Sequence, residues 1–469
     1  MKKIFIVTFH IALVAFNSFG QILFERTYGT SNPDEGNDVL QTMDGGYIVC
    51  GYSGAGFPVT QFLYVVKTDS YGDTVWTKKY SLINQQALIG NSITQCPDSG
   101  YIITGSTLPF SSSYTDLLLI KINSSGDTLW SKIYSTPGTD EGNKIINTIN
   151  NTFLIAGSTN GSAWIIKTDA NGDSLWSKKF TNVYAAYAED VLQTPDSGFL
   201  IFGRRAMGSF NFDFYLVRTD SLGTLLWQKT YGGVNDEYGY SLARTNDGGY
   251  ILAGRTYSFG AGNKDIWVLK VSAIGDSLWA RTFGGLYDDN CFSVQLTTDG
   301  GFILAGWTNS AGAGGADSWI IKINSFGSVQ WSRYFGSTGD EGFFSAKQTS
   351  DGGYVFAGET NSWGFGNKDV YLVKTDVNGN VVGIEESENI SGITIFPNPA
   401  TNQLTIESGQ LKINSIEIYD VLGQKCLTPT LSKGEGVSAS IDVSELSAGI
   451  YFVKVQGGKE ERVVKFVKE

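Results

Sequence analysis

Short stretches in which apolar and polar residues alternate recur along most of the chain, and turns rich in Gly, Asp and Asn separate them. One stretch reads DGGYILAGRTYS at residues 247–258, and six further copies begin at Asp44, Asp98, Asn150, Asp196, Asp299 and Asp351. Alternation over about four to eight residues between such turns predicts β-strands. The pattern therefore predicts an all-β protein built from repeats.

The repeats are regular in length. Their first residues lie 54, 52, 46, 51, 52 and 52 residues apart, which defines seven units. Each unit contains four strand candidates, and short Gly-containing turns join the first to the second and the third to the fourth. About fifty residues with four strands is the size of a β-propeller blade. The sequence predicts a seven-bladed β-propeller over residues 21–383.

The last unit ends before its fourth strand, because Gly383 stands where the other units carry a tryptophan. The missing strand has a counterpart at the other end of the chain, where FERTYG at residues 24–29 matches WTKKYS from Trp76. We therefore expect the N-terminal strand to complete the seventh blade, which would remove free sheet edges. A linear array of seven units is the alternative.

The turn between the third and fourth strands resembles a known motif. TDxxGDxxW, at residues 68–76 and 168–176, is similar to the tryptophan-docking motif of quinoprotein-type propellers, in which Gly turns the hairpin and Trp wedges between neighbouring blades. The spacing from Asp to Gly is one residue shorter here, and seven units differ from the usual eight. The resemblance implies the architecture rather than a quinone cofactor. We expect the tryptophans to belong to the core.

The chain begins with Lys2 and Lys3, an apolar run over residues 4–16 and small residues at Ser18 and Gly20. This pattern predicts a secretory signal peptide over residues 1–20, cut before Gln21. A buried N-terminal strand is the alternative. The apolar run has 13 residues and is too short to span a bilayer, so no transmembrane segment is predicted.

Charge and residue counts exclude several classes of function. The formal charge is -12, or -14 without Lys2 and Lys3, which argues against nucleic acid as a partner. The one histidine, His10, falls in the predicted signal peptide, which excludes histidine-dependent catalysis and histidine-ligated metals from the mature chain. Four cysteines form no CxxC pair, so neither a zinc site nor a disulfide is predicted.

The repeats stop at an acidic linker, residues 384–392, and residues 393–469 follow a different pattern of strands with Pro and Gly turns, which predicts a small β-sandwich. This tail resembles the type A C-terminal sorting domain of the type IX secretion system of Bacteroidetes. The residues that match its motifs are Pro397, Asn398, Pro399, Gly423, Gly449, Tyr451 and Lys465. The resemblance implies export by the type IX machinery, then release or anchoring at the cell surface.

Acidic pairs recur in the loops that join the units. They are Asp34 with Glu35, Asp140 with Glu141, Glu189 with Asp190, Asp236 with Glu237, Asp288 with Asp289, and Asp340 with Glu341. Paired carboxylates can catalyse glycoside hydrolysis or bind Ca2+. A catalytic pair is needed once, whereas these pairs recur in six of seven units, so we expect them to cap loop amides. No cofactor is predicted, and Ca2+ has no specific support.

Ligand specificity is expected where the copies differ, because shared residues build the blade. The residue after each AG at the end of the second strand varies most and points towards the loop face. The predicted ligand-binding residues are Tyr52, Arg204, Arg255, Trp307 and Glu359 from this column, with Trp363 from a neighbouring loop. Aromatic, acidic and Arg side chains together suit a carbohydrate or peptide ligand. Packing of these aromatics on adjacent loops is the alternative.

The sequence thus predicts a monomeric, secreted or surface-bound propeller that acts as a binding or adhesion module for an extracellular glycan or protein. No catalytic or metal-binding residue is assigned. The alternative is a secreted polysaccharide-active hydrolase with a carboxylate pair on the loop face, for which Glu237, Glu341 and Glu359 are candidates. A structural component of the cell surface that binds no ligand is a third possibility.

Overall fold

We describe the chain from a computed structural model. It describes residues 22–54, 61–180, 184–208, 211–381, 394–396, 400–407, 413–420, 425–427, 438–447, 449–457 and 460–468. The predicted signal peptide and acidic linker lie outside these residues. One compact unit contains residues 22–382, and a second contains the C-terminal residues from 383 onwards.

The first unit begins with strand β1 (Phe24–Tyr28) and continues with antiparallel sheets of four strands each. The first three sheets are β2 (Asp34–Gln41), β3 (Tyr47–Ser53), β4 (Phe62–Thr68) and β5 (Thr74–Tyr80); β6 (Gln85–Gln95), β7 (Tyr101–Pro109), β8 (Asp116–Ile122) and β9 (Thr128–Tyr134); and β10 (Asp140–Thr148), β11 (Thr152–Thr159), β12 (Ser162–Thr168) and β13 (Ser174–Phe180).

Three more sheets repeat this order. They are β14 (Ala186–Gln193), β15 (Phe199–Ala206), β16 (Phe212–Thr219) and β17 (Leu225–Tyr231); β18 (Glu237–Arg244), β19 (Tyr250–Thr256), β20 (Asp265–Val271) and β21 (Ser277–Phe283); and β22 (Asp289–Leu296), β23 (Phe302–Thr308), β24 (Asp317–Ile323) and β25 (Val329–Phe335). The predicted all-β class and the repeat of four strands are confirmed.

The seventh sheet combines β26 (Glu341–Gln348), β27 (Tyr354–Thr360) and β28 (Asp369–Thr375) with β1. Strand β1 pairs antiparallel with β28, and Phe24 stands opposite Lys374. The first strands of consecutive sheets contact one another in chain order, and β2 also contacts β26. The first strand of the chain therefore occupies the outer position in the sheet that the last three strands form.

Large aromatics connect each outer strand to the next sheet. Gly126, in the hairpin that joins β8 to β9, has a φ of +79°, and a Cβ there would lie 3.0 Å from the ring of Trp76. The tryptophans at 130, 176, 227, 279 and 331 meet the next hairpin glycine in the same way. Phe24 of β1 contacts Gly72 of the first sheet, so it takes the tryptophan's place in the seventh. The tryptophans are partly buried and pack against the core clusters, as expected of residues that wedge between neighbouring blades.

The second and third strands of each sheet are almost wholly buried, and the apolar side chains of neighbouring sheets pack against each other. One such cluster joins Ile48 and Leu63 of the first sheet to Ile103 and Leu118 of the second. Cys50 belongs to it and is fully buried. The outer strands alternate between exposed and partly buried positions.

The second unit contains two sheets. Their strands are β29 (Thr394–Phe396), β30 (Gln403–Glu407) and β33 (Ser438–Asp442) in one, and β31 (Ser415–Asp420), β32 (Lys425–Leu427), β34 (Gly449–Gly457) and β35 (Glu460–Lys468) in the other. Leu404 and Ile406 from the first sheet share a core with Ile416 and Val453 from the second. The predicted small β-sandwich is confirmed.

The predicted sorting motif is only partly described. Gly449 begins β34, and Lys465 of β35 stands opposite Phe452 of β34. The buried Tyr451 donates a 2.9 Å hydrogen bond to the Ser447 carbonyl. The remaining motif residues, Pro397, Asn398, Pro399 and Gly423, lie outside the described residues.

Candidate functional site

A β-bulge interrupts the first strand of every propeller sheet near its loop end. In β2, for example, Gly36 stands opposite Gly51 and Asp38 opposite Cys50, so Asn37 has no partner. Such a residue leaves the regular register of the strand, and its side chain is re-aimed. The unpaired residues, which we call the channel ring, are Asn37, Asn91, Asn143, Glu189, Tyr240, Phe292 and Phe344.

The channel ring surrounds the mouth of a central channel. All seven side chains are half-buried, and together with Glu35 they line a depression of about 330 Å3. The same seven residues also line a deeper cavity of about 280 Å3 inside the channel. Each blade therefore contributes one side chain to a single concave site.

Three consecutive members of the channel ring are asparagines with the same hydrogen bond. Asn37 Nδ2 donates to the Gly90 carbonyl at 3.1 Å, and Asn91 Nδ2 donates to the Gly142 carbonyl at 3.0 Å. Asn143 Nδ2 donates at 3.0 Å to the carbonyl of residue 188. Within the described part of the chain, nothing donates to the three Oδ1 oxygens. This amide half of the ring offers fixed acceptors at the channel mouth.

Glu189 joins the amide half to the rest of the ring. One of its oxygens accepts from Asn143 at 3.1 Å, and the other lies 2.6 Å from Arg204 Nη1. Burial raises the pKa of Glu189, and the Arg204 charge opposes that rise. The pair with Arg204 therefore holds the carboxylate in position and balances its charge.

The other three members of the channel ring are aromatic and touch in sequence. The rings of Tyr240 and Phe292 have centroids 5.0 Å apart, and those of Phe292 and Phe344 lie 5.1 Å apart in an edge-to-face arrangement. Such pairs prefer tilted contacts and present a continuous apolar surface. The mouth is thus amide-lined on one side and aromatic on the other.

Two predicted residues, Arg204 and Arg255, meet behind the aromatic half. The Tyr238 ring lies between them, 5.3 Å from the Arg204 guanidinium and 4.5 Å from that of Arg255. Arg255 also lies 5.7 Å from the rings of Tyr240 and Tyr257. These cation–π distances fall within the range of about 6 Å over which a ring attracts a cation. The structure brings these two predicted residues together.

The deeper cavity contains a buried charge network. Asp38 lies 3.3 Å from Lys144 Nζ and 3.9 Å from Lys347 Nζ, and it accepts hydrogen bonds from Ser92 and Ser345 at 2.8 and 2.7 Å. Burial would raise the pKa of Asp38, but the two lysines and two hydroxyls outweigh it and lower the pKa to about 2. These residues come from four different blades, so the network fixes their first strands around the channel.

A second acidic group lies beside the mouth. Glu359 shares a hydrogen bond with Glu35, and Lys368 Nζ lies 2.5 Å from Glu359 and 3.9 Å from Glu35. The hydroxyl of Tyr52 donates to Glu35 at 3.0 Å. Burial, followed by the neighbouring Glu359 carboxylate, raises the pKa of Glu35 to about 8. Glu359 is thus held beside Glu35 and Lys368 at the mouth.

The two remaining predicted ligand residues are the tryptophans Trp307 and Trp363. The Trp307 side chain lies under Lys264, whose Nζ is 5.1 Å from the ring centroid. Trp363 packs against Tyr371 of its own sheet at 5.7 Å and is 39% exposed. The structure therefore places Arg204, Arg255, Tyr52 and Glu359 next to the channel mouth, but it does not bring Trp363 to it.

Most of the repeated acids cap loops, as predicted. Asp289 accepts from the Gly285 amide at 2.9 Å, and Glu237 and Glu341 accept from the amides of Gly233 and Ser337 at 2.8 and 3.0 Å. Both glutamates are buried, which removes them as hydrolase candidates. One assignment is wrong: Glu189 and Asp190 lie inside β14, at and after its bulge, and face the channel.

The channel ring is not among the residues predicted to bind a ligand. A signal for it is present in the sequence, because a second variable column follows the residue aligned with Gly36, Gly90, Gly142 and Gly239 in the first strand of the units. The column after AG lies directly behind the ring, since Tyr52 stands opposite Glu35 and Arg255 opposite Tyr238.

Two features that would indicate a different kind of site are absent from the described residues. These residues contain no group of three or more His, Cys, Asp or Glu side chains able to hold a metal ion. A helix of the length and apolar character needed to cross a membrane is also absent from them.

Comparison with known proteins assigns the tail. Residues 394–469 match the family described as Secretion system C-terminal sorting domain. This domain indicates export by type IX secretion to the cell surface or the extracellular space, and handling by the type IX machinery. The resemblance of the tail to that sorting domain is confirmed.

The propeller has only distant relatives among those compared. The regulatory protein FlaEY of Caulobacter vibrioides is 25% identical over 268 residues, which cover 53% of this chain and 25% of FlaEY. The Pan2 WD40 domain of Neurospora crassa matches with a TM-score of 0.47 and 11% identity over 75% of this chain and 91% of that one. PorZ, a surface component of the type IX secretion system of Porphyromonas gingivalis, matches with a TM-score of 0.28 and 8% identity over 95% and 100% of the two chains.

Proposed function

We propose that this protein is a surface binding module whose propeller recognises a glycan at the channel ring. The observation that supports this proposal is the division of one concave site into an amide half and an aromatic half. A sugar ring has an apolar face of C–H groups and an edge of hydroxyls. The aromatic half suits the first, and the free Oδ1 acceptors of the asparagines suit the second.

The size of the site also favours a saccharide over a protein partner. The depression of about 330 Å3 falls in the usual range for a small-ligand pocket. The charged group Glu189 is already paired with Arg204, so the hydroxyl groups of a saccharide need to supply no counter-charge to it. The competing kind of ligand is a protein that inserts a single aromatic or polar side chain into the depression.

No observation favours the alternative of a polysaccharide hydrolase. Two of its candidate acids, Glu237 and Glu341, are buried loop caps, and the third, Glu359, is paired with Glu35 and Lys368.

The tail supports a source among the Bacteroidetes and a secretory signal that ends before Gln21. We further propose that the exported propeller is a monomer, because one chain supplies all seven members of the channel ring.

A glycan array with the full exported protein tests the proposal, and a hydrolysis assay on the same saccharides accompanies it. We expect binding of at least one saccharide without product release, and loss of that binding in Phe292→Ala. The matched control is Phe326→Ala, because Phe326 is 73% exposed in the hairpin that joins β24 to β25, away from the ring. Hydrolysis would favour the enzyme, and silence in both assays would favour a structural component.

A further inference from the structure

Arg255 is a cation without a counter-charge. No carboxylate oxygen among the described residues lies within 4.0 Å of its guanidinium, and its buried Nε has no hydrogen-bond partner there. Its neighbours are instead the faces of Tyr238, Tyr240 and Tyr257. Aromatic faces attract the cation but accept no N–H hydrogen bond from the edge of the guanidinium, so its donors remain available.

Three other cations near the loop end of the propeller are paired with carboxylates. Arg204 is bound to Glu189 at 2.6 Å, Lys264 to Asp288 at 3.0 Å, and Lys368 to Glu359 at 2.5 Å. Arg205 has no such pair among the described residues, but its guanidinium lies against Tyr215 of its own blade, 5.4 Å from the ring centroid. Asp288 lies close enough to Arg255 for the Arg255 charge to help lower its pKa, but Lys264 and Asn263 already occupy its oxygens. The charge of Arg255 is therefore left for a group from outside the chain.

The position of Arg255 relates it to the channel ring. Tyr240 is a member of the ring and lies 5.7 Å from the guanidinium, so Arg255 stands directly behind the aromatic half. A planar guanidinium stacked on aromatic rings is held in a fixed orientation, which favours bidentate contact with a planar or tetrahedral anion. Arg255 itself does not line the depression, so an anionic substituent that extends past the edge of Tyr240 would meet this cation.

We infer that the glycan bound at the channel ring is acidic, and that Arg255 receives its carboxylate or sulfate group. This inference rests on the proposed function, because it assigns a substituent to the same ligand. Carboxylate and sulfate share the chemistry that a guanidinium recognises, and matched saccharides distinguish them. The net negative charge of the protein does not oppose such binding, since the field at the site depends on the nearest unpaired charge.

Two pairs of saccharides that differ only in the acidic group test the inference. Trigalacturonate is compared with its methyl ester, and 3′-sulfolactose with lactose, by calorimetric titration of the full exported protein. We expect the acidic member of one pair to bind about 10- to 100-fold more tightly, as for a charge-assisted hydrogen bond. Arg255→Gln should abolish this preference, and Arg255→Lys should retain part of it.

Arg244→Gln is the matched control, because Arg244 lies at the opposite end of β18 and is exposed. It removes the same charge from the same blade and should leave the preference unchanged. Equal binding of acidic and neutral saccharides would overturn the inference and leave the proposed function standing. A preference that survives Arg255→Gln, in a protein that melts like the wild type, would have the same consequence. Failure of every saccharide to bind would overturn both.

Discussion

Lys121 Nζ lies 2.9 Å from a carboxylate oxygen of Asp98, the first residue of the repeated turn in the second blade. The lysine side chain is only 7% exposed, whereas the aspartate is 58% exposed. Equivalent pairs join Lys67 to Asp44, Arg218 to Asp196, Lys270 to Asp247, Lys322 to Asp299 and Lys374 to Asp351. The repeated Asp thus compensates a buried cation of the third strand.

The third blade lacks this pair and supplies a test of its value. Asn150 stands where the other six blades have Asp, so Lys167 lacks the aspartate partner of the equivalent cations. Burial lowers the pKa of Lys167 to about 8. Lys167→Met should therefore raise the free energy of unfolding at pH 7, by about 1 to 2 kcal/mol after allowance for solvent screening. Urea denaturation measures the change.

Lys121→Met is the matched control. Burial opposes the charge of Lys121, but the hydrogen bonds that it donates to Asp98 and Cys96 outweigh this effect and raise the pKa. This substitution should lower stability by about 1 to 3 kcal/mol. Because the folded state lowers the pKa of Lys167, the wild type should gain stability between about pH 8 and 10.5, and Lys167→Met should not. Equal effects of the two substitutions would contradict this interpretation.

The place of the N-terminal strand predicts a large effect for one side chain. Phe24 is 4% exposed and packs against Gly72, so Phe24→Ala should cost about 3 to 5 kcal/mol of unfolding free energy. Arg26→Ala, in the same strand but with a side chain 49% exposed, should change it by less than about 0.5 kcal/mol. In a linear array Phe24 would be exposed, and the two substitutions would then have similarly small effects on thermal unfolding.

The shared proton of Glu35 and Glu359 predicts a dependence of stability on pH. Folding raises the pKa of Glu35 from 4.5 to about 8, so its contribution to stability is complete below pH 4.5 and is lost as the pH rises through 8. Glu359→Gln keeps a hydrogen-bonding partner but removes the neighbouring charge, and should flatten this dependence. Unfolding measured from pH 5 to 9 gives the result, with the exposed Asp73→Asn as control. An unchanged slope in Glu359→Gln would refute the coupling.

The ion pair of Arg204 and Glu189 should be visible in a double-mutant cycle. Arg204→Ala leaves Glu189 half-buried and unpaired, and should lower stability by about 2 to 4 kcal/mol. Arg204→Ala combined with Glu189→Ala should cost less than the sum of the single substitutions, because neither charge is then left alone. Additive costs would mean that the two side chains act independently.

Much of the fold follows from local features of the sequence. The alternation of apolar residues, and the Gly in the hairpin between the third and fourth strands, recur in seven units, and the Trp after that Gly recurs in six. Each of these features depends on only a few neighbouring residues. FERTYG also repeats the pattern of the strand from Trp76, which predicts that the N-terminal strand completes the seventh blade. Because the acidic pairs recur, the sequence also predicts that acids such as Asp289 cap loop amides and do not form a catalytic or metal site.

The channel ring could not be predicted in the same way. A bulge depends on how two strands pair, and Asn37 and Phe344 come together only when the blades form a ring. Glu189 lies seven residues before Asp196, as Asn37 does before Asp44, so it belongs to the channel column although its residue type resembles the acidic pairs of the loops. The charge of Arg255 was visible in the sequence, but its lack of a partner depends on the packing of three tyrosines, two from β18 and one from the loop after β19.

The affinity of a saccharide selected from the array, measured for the variant Tyr240→Ala combined with Phe292→Ala, tests glycan recognition at the channel ring most directly. These rings lie 5.0 Å apart and form the aromatic half with Phe344. We expect the affinity to fall at least about tenfold, since stacked aromatic contacts contribute roughly 1 kcal/mol or more each, while Phe326→Ala binds like the wild type. Unchanged affinity in a correctly folded double variant would contradict recognition at this site.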